Sequence, residues 1–246
     1  MIGNESSAGF ARAASLYQLP QEEGLIGRMV GAMIRRSVRK GFHNVYWNPP
    51  TYPVTPPILF FCTHHGWYDG YLMYHVVTKL QCRSLDWIQE FDAFPLFSKV
   101  GGMPYRLGDP LGRAQTIRRT IHLMKNESRS LILFPEGILH YPPEVLPFGD
   151  TFAFLKRKVP RLQLLPVAIS YQSSLQERPE AFIRFGQPLS APDSLCELGR
   201  EKLQGLLDGL NNDIRAGTGR FELLAKGTPS INESLGFNRK STGAQT

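Results

Sequence analysis

His64, His65, Gly66 and Asp69 stand together in one short stretch of a 246-residue chain, and residue types at this spacing can do acid–base chemistry. An imidazole with one ring nitrogen held by a carboxylate keeps the other basic, ready to take a proton from a hydroxyl. No nucleophile is built into the pair. The attacking group is therefore a Ser, Thr or Cys from elsewhere, or the substrate's own hydroxyl. On one continuous helix, five positions at about 100° each would leave His64 and Asp69 roughly 140° apart. They can meet if His64 lies on a loop and Asp69 in the first turn of the next helix, where the helix dipole favours a carboxylate. The plainer use of adjacent histidines in a turn is to cap a helix or bond to backbone.

Two further segments carry chemistry. In VGGMPYRL, residues 100–107, Gly101 and Gly102 let backbone approach a ligand, and the planar fork of Arg106 suits a phosphate. Lys99, Arg113 and Arg118 are further cations nearby in sequence. In FPEG, residues 134–137, Glu136 can accept from a substrate hydroxyl or hold an arginine, against the blander use of a turn glutamate in water. His140 follows Gly137 by three residues and is near enough to support a site from behind.

Strands must end at these groups to position them. Pro56 and Pro57 introduce Ile58-Leu59-Phe60-Phe61-Cys62, a short apolar run that reads as a buried strand stopping just before the histidines. A helix then runs to about Leu80. Residues 42–47, 85–89, 130–134, 162–169 and 182–186 read as further strands, and 112–127 and 148–158 as helices. Leucines at 195, 198, 203, 206, 207 and 210 suggest a closing helix. This alternation predicts one α/β domain, a mixed, mostly parallel sheet flanked by helices. Open sheets of this kind collect ligands at the carboxyl ends of their strands, so HHGWYDG and FPEG should sit side by side.

The order His64-x4-Asp69, a Gly-rich segment ending in Arg106, FPEG, and Leu165-Pro166-Val167-Ala168-Ile169 resembles the glycerolipid acyltransferase family that includes lysophosphatidic acid acyltransferases. His-x4-Asp alone is common, but four blocks in this order are specific together. The resemblance spans about residues 41–190. It implies that His64, not His65, is the general base and that Asp69 orients it. It implies substrate-binding roles for Arg106, Glu136, Gly137, Gly101, Gly102 and Lys99, with Arg106 on the acceptor's phosphate. The implied reaction moves an acyl group from acyl-CoA or an acyl carrier protein thioester to a lipid hydroxyl, first of all lysophosphatidic acid giving phosphatidic acid. Neither a metal nor another cofactor is implied. Two departures broaden the acceptor to other lysophospholipids or glycosylated lipids: Arg106 follows Gly101 by five residues where the family commonly has six, and Ile138 replaces the usual Thr or Ser after Gly137. Phe91, Phe94, Leu96 and Phe97 are either core or the wall of an acyl-chain site.

An apolar content of 42% suffices for one full core, and the net charge of +7 asks for a negative partner. Anionic lipid, coenzyme A and nucleic acid all satisfy that charge, and since nothing else points to nucleic acid, none is expected. Residues 25–40 combine Leu25, Ile26, Met29, Val30, Met33, Ile34 and Val38 with five basic residues at helical period. Such a helix can lie on an anionic membrane surface or dock on its own core. No run reaches the ~18 to 20 apolar residues that cross a bilayer, and residues 1–22 carry no secretory pattern. Cys62, Cys82 and Cys196 have no ligand spacing and fit a reducing cytosol. The expectation is a cytoplasmic protein, peripheral on the inner face of the membrane, with a tail at 1–23, a domain at 24–217 and a loosely ordered polar tail at 218–246. The competing class is a metal-dependent hydrolase with His64, His65, Asp69 and His140 as ligands, a thin shell without a second cluster.

Overall fold

The middle of the sheet is the run that reads as most apolar in the sequence. In the computed structural model, which describes residues 24–173, 176–190 and 194–229, all five residues of Ile58–Cys62 are fully buried. The elements in order are α1 (Gly24–Gly41), β1 (Asn44–Asn48), β2 (Ile58–Cys62), α2 (Asp69–Lys79), β3 (Ser84–Ile88), 3₁₀ turns at Phe91–Ala93 and Pro95–Val100, β4 (Gly102–Pro104), α3 (Pro110–Glu127), β5 (Ser130–Leu133), α4 (Thr151–Lys158), β6 (Gln163–Gln172), β7 (Glu180–Phe185), α5 (Leu195–Ala216) and β8 (Glu222–Lys226).

The eight strands form one sheet in the order β4-β3-β5-β2-β6-β7-β1-β8. All pairings are parallel except β6 with β7 and β1 with β8. This is the mixed, mostly parallel α/β domain that the alternating pattern predicts. Side chains alternate across β2: Ile58, Phe60 and Cys62 join a core with α2, whereas Leu59 and Phe61 join a second core with α4 and α5. Both faces are covered by helices, which explains why β2 reads as a continuous apolar run.

Parallel register places the loops after β2 and β5 at one sheet edge. Phe61 pairs with Leu133, so His64 and the FPEG turn leave neighbouring strands on the same side. Helix α1 serves two surfaces at once. Val30 and Ile34 pack with Tyr74 and Val100, while Leu25, Ile26, Met29 and Met33 face outward.

The C-terminal boundary needs correction. Glu222–Lys226 lies in the stretch read as a loose tail from 218, yet it pairs antiparallel with β1. Leu224 and Ala225 pack against the core, a short apolar pair masked by the polar composition around it. The N-terminal tail at 1–23 and the last residues, 230–246, lie outside the described residues.

Candidate active site

Helix α2 begins at Asp69, and its first turn presents a fully buried carboxylate to the loop that leaves β2. His64 Nδ1 lies 3.1 Å from Asp69 Oδ2, the meeting across a loop and a helix start that the spacing requires. The same oxygen accepts the Gly66 N–H at 2.9 Å, and the Tyr171 hydroxyl donates to Oδ1. Three donors thus fix one carboxylate. Burial and the charge of Asp69 push the Tyr171 hydroxyl far up, so it stays protonated and able to donate. Gly66 is required by close approach, since a Cβ there would lie 2.4 Å from the Tyr171 ring. Tyr171, on β6, was not foreseen: nothing local in its sequence marks it, and only the β2–β6 pairing brings it to Asp69.

With Nδ1 engaged, His64 offers Nε2. Its ring stacks on Phe134, centroids 4.2 Å apart, and it lines a cleft of about 830 Å³. The two nucleophile-type side chains just before it in the chain are committed elsewhere. Thr63 accepts from the Ile169 N–H and donates to its carbonyl, and burial pushes the Cys62 thiol well up. These positions favour a substrate hydroxyl as the attacking group.

Glu136 lines the cleft and is also tied into the backbone around His64. Its side chain is fully buried; Oε1 accepts the His64 N–H at 3.2 Å, and Oε2 accepts the Leu146 N–H at 2.6 Å and faces His140 Nε2 at 2.6 Å. The His140 N–H in turn donates to the His64 carbonyl at 3.2 Å. Glu136 therefore clamps the His64 backbone from beneath, with His140 as its partner. Gly137 lines the cleft with positive φ, and its carbonyl accepts from Gln89 at 3.0 Å.

The cations divide between the surface and the cleft. Arg106 is held by both carboxylate oxygens of Asp92 at the surface and is not among the cleft-lining residues; neither are Lys99 and Gly101. Arg113, one turn into α3, does line the cleft, with its guanidinium 5.9 Å from the Tyr105 ring centre. Gly102 also lines it, but a Cβ there would meet Phe97 and Ile88 within 3.0 Å, so its smallness serves packing. Phe94 and Phe97 form part of the wall with Tyr71, Tyr74 and Ile34, whereas Phe91 and Leu96 do not.

Asp86, on β3, lines this cleft along with Glu90 and Glu136 and was missed within an apolar run. Burial raises it from 3.8 to about 7, opposed by His64 and the Trp87 N–H. The folded protein therefore holds this proton more tightly than the unfolded chain. Its contribution is unpenalised below pH 4, becomes increasingly destabilising as pH rises to about 7, and levels off above. Asp86→Asn is expected to raise stability at pH 8 by up to ~4 kcal/mol, with the gain vanishing at pH 4. Denaturant melts of both proteins across that range check this. The difference between them isolates Asp86, because His75, lowered to about 4 by burial and so losing stability below its ordinary value, contributes alike to both proteins.

A histidine–aspartate pair at the carboxyl edge of a helix-covered, mostly parallel sheet, opening on an aromatic cleft, is an α/β arrangement suited to acid–base chemistry. The Acyltransferase family profile matches residues 44–170, just over half of the chain, and the chain belongs to that family. It is 37% identical over 89 residues, 32% of this chain, to an uncharacterized acyltransferase of Schizosaccharomyces pombe, of whose length the match covers 13%. Among solved structures it is similar to the 1-acyl-sn-glycerophosphate (LPA) acyltransferase PlsC from Thermotoga maritima, with a TM-score of 0.54, 17% identity, and coverage of 75% of this chain and 78% of that one. That likeness supports the fold.

Proposed function

We propose that this acyltransferase moves a fatty acyl group from a thioester, acyl-CoA or acyl carrier protein, to a lipid hydroxyl, with lysophosphatidic acid the leading acceptor. The observation that carries the reading is the His64–Asp69 pair with Nε2 free beside the cleft. His64 takes the proton of the acceptor hydroxyl as its oxygen attacks the thioester carbonyl. The C–S bond breaks, and the imidazolium returns the proton to the leaving thiolate. Asp69 balances the imidazolium charge through that cycle. General base catalysis contributes about 10²- to 10⁴-fold, so alignment of both substrates supplies much of the rest.

In this reading Arg113 takes the acceptor's phosphate, and Phe94, Phe97, Tyr71 and Tyr74 hold the acyl chain. Substrates enter from an anionic membrane surface. Met33, Trp67, Leu107 and Leu139 line the cleft and are exposed, and Leu25, Ile26 and Met29 continue that rim. Exposed Arg28, Arg36, Arg39 and Lys40 complete an interfacial helix. Among the described residues no helix is long and apolar enough to cross a membrane. Location on the cytoplasmic face belongs to the same proposal.

The test is thiol release from a series of acyl thioesters by the purified protein, with lysophosphatidic acid, with other lysophospholipids or glycosylated lipid alcohols, and without acceptor. Release dependent on lysophosphatidic acid supports the full reading. Release with another alcohol keeps the mechanism and replaces the acceptor; no acceptor-dependent release with any pair overturns it.

A further inference from the structure

The loops after β2 and β5 bring together three groups that carry no proton in the proposed catalytic cycle. A ring nitrogen of His65, a carboxylate oxygen of Glu136 and a ring nitrogen of His140 all lie within 4.8 Å of one another. The hydrogen bonds around the two imidazoles organise them. His65 Nε2 faces the Glu144 carbonyl at 3.1 Å, and His140 Nδ1 faces the Tyr141 carbonyl at 3.0 Å. A carbonyl only accepts, so each facing nitrogen carries the hydrogen, leaving a lone pair on the other nitrogen of each neutral ring. For His140 that other nitrogen, Nε2, faces Glu136 Oε2 at 2.6 Å. A lone pair directed at a carboxylate needs a cation between them, either a proton or a metal. Fixing a histidine's tautomer through a backbone carbonyl is also how metal-binding imidazoles are usually held.

We propose that His65, Glu136 and His140 bind a first-row divalent transition metal, of the zinc class, beside the catalytic pair. Two imidazoles and one carboxylate suit such an ion, which takes these ligands at about 2.0–2.2 Å and completes its shell with water. The 2.6 Å contact opens modestly to admit it, and the proton it held is released. Access is available: both histidines are only half-buried, and His65 also lines a neighbouring cavity of about 500 Å³ with Pro142 and Pro143. His64 is not part of this cluster of ligand atoms, so the metal stands apart from the proton-transfer pair. Its effect is structural. Glu136 and His140 bond the backbone on both sides of His64, and the ion would lock that loop to the segment running from 140 to 146.

The experiment uses the full chain, stripped with chelator and titrated with Zn²⁺ against a chromophoric chelator, then with Co²⁺ followed by visible absorption. One equivalent of Zn²⁺ is expected, with the melting temperature raised by several degrees at saturation and a Co²⁺ band of low-symmetry nitrogen and oxygen ligation. His65→Ala and His140→Ala should each weaken binding at least 10-fold, while His122→Ala should leave it intact. Absence of stoichiometric binding by the wild-type chain overturns the proposal whether or not any variant folds. Undiminished binding in His65→Ala also overturns it, as does binding abolished only by cysteine blocking.

Discussion

Alanine at His64 is expected to lower acyl transfer by about 10²- to 10⁴-fold, with substrate affinity changed far less. The ring's Nε2 is the group positioned to take the hydroxyl proton, and the nearby imidazoles are committed elsewhere. His65 is held at the Glu144 carbonyl and lowered by burial, and His140 is paired with Glu136. The fold should survive, because Asp69 retains the Gly66 N–H and the Tyr171 hydroxyl after the imidazole is gone. Loss of one such bond costs about 1 kcal/mol, a shift of a few degrees in melting temperature. Initial-rate kinetics together with a thermal melt give both quantities. Full activity in a well-folded His64→Ala protein would remove the general-base role from this residue.

Why the catalytic pair was legible in the sequence while its surroundings were not follows from distance along the chain. His64 and Asp69 are five positions apart, so a strand ending, a turn glycine and a helix start confine their geometry. The FPEG turn was legible as a neighbour for a similar reason, since two buried apolar runs in an α/β pattern pair in parallel and end together. Tyr171 and Asp86 depend on register across the sheet, where a shift of one residue would turn either side chain to the other face. No local pattern carries that information. No motif carries the pairing of Arg106 with Asp92, fourteen residues away at the surface, or the placement of Arg113 in the cleft lining. The amphipathic helix at Gly24–Gly41 held two readings, and the structure realises docking on one face while leaving a second apolar face outward. Gly27 and Gly31 lie buried with Val30, Ile34 and Val38 on the docked face.

Glu136 gives the second large effect, and it divides stability from catalysis. A glutamate in a turn after a strand would ordinarily be solvated, and its removal would cost little. Here the carboxylate is fully buried and satisfies the His64 N–H, the Leu146 N–H and His140. Alanine leaves those groups without an acceptor, each buried donor costing about 1–3 kcal/mol, so Glu136→Ala is expected to lose about 3–5 kcal/mol. Glutamine keeps the shape and one oxygen but turns an N–H₂ toward one of the donors, so Glu136→Gln should lose about 1–3 kcal/mol and remain folded at low temperature. Because the freed N–H belongs to His64 itself, the glutamine protein should also fall in turnover well below its melting point, with substrate binding less affected. Denaturant unfolding and low-temperature kinetics measure the two effects separately. A Glu136→Gln protein that melts with the wild type would show that the carboxylate is not the clamp. A protein that loses stability but keeps full turnover would show that the clamp holds the loop without setting the position of the base.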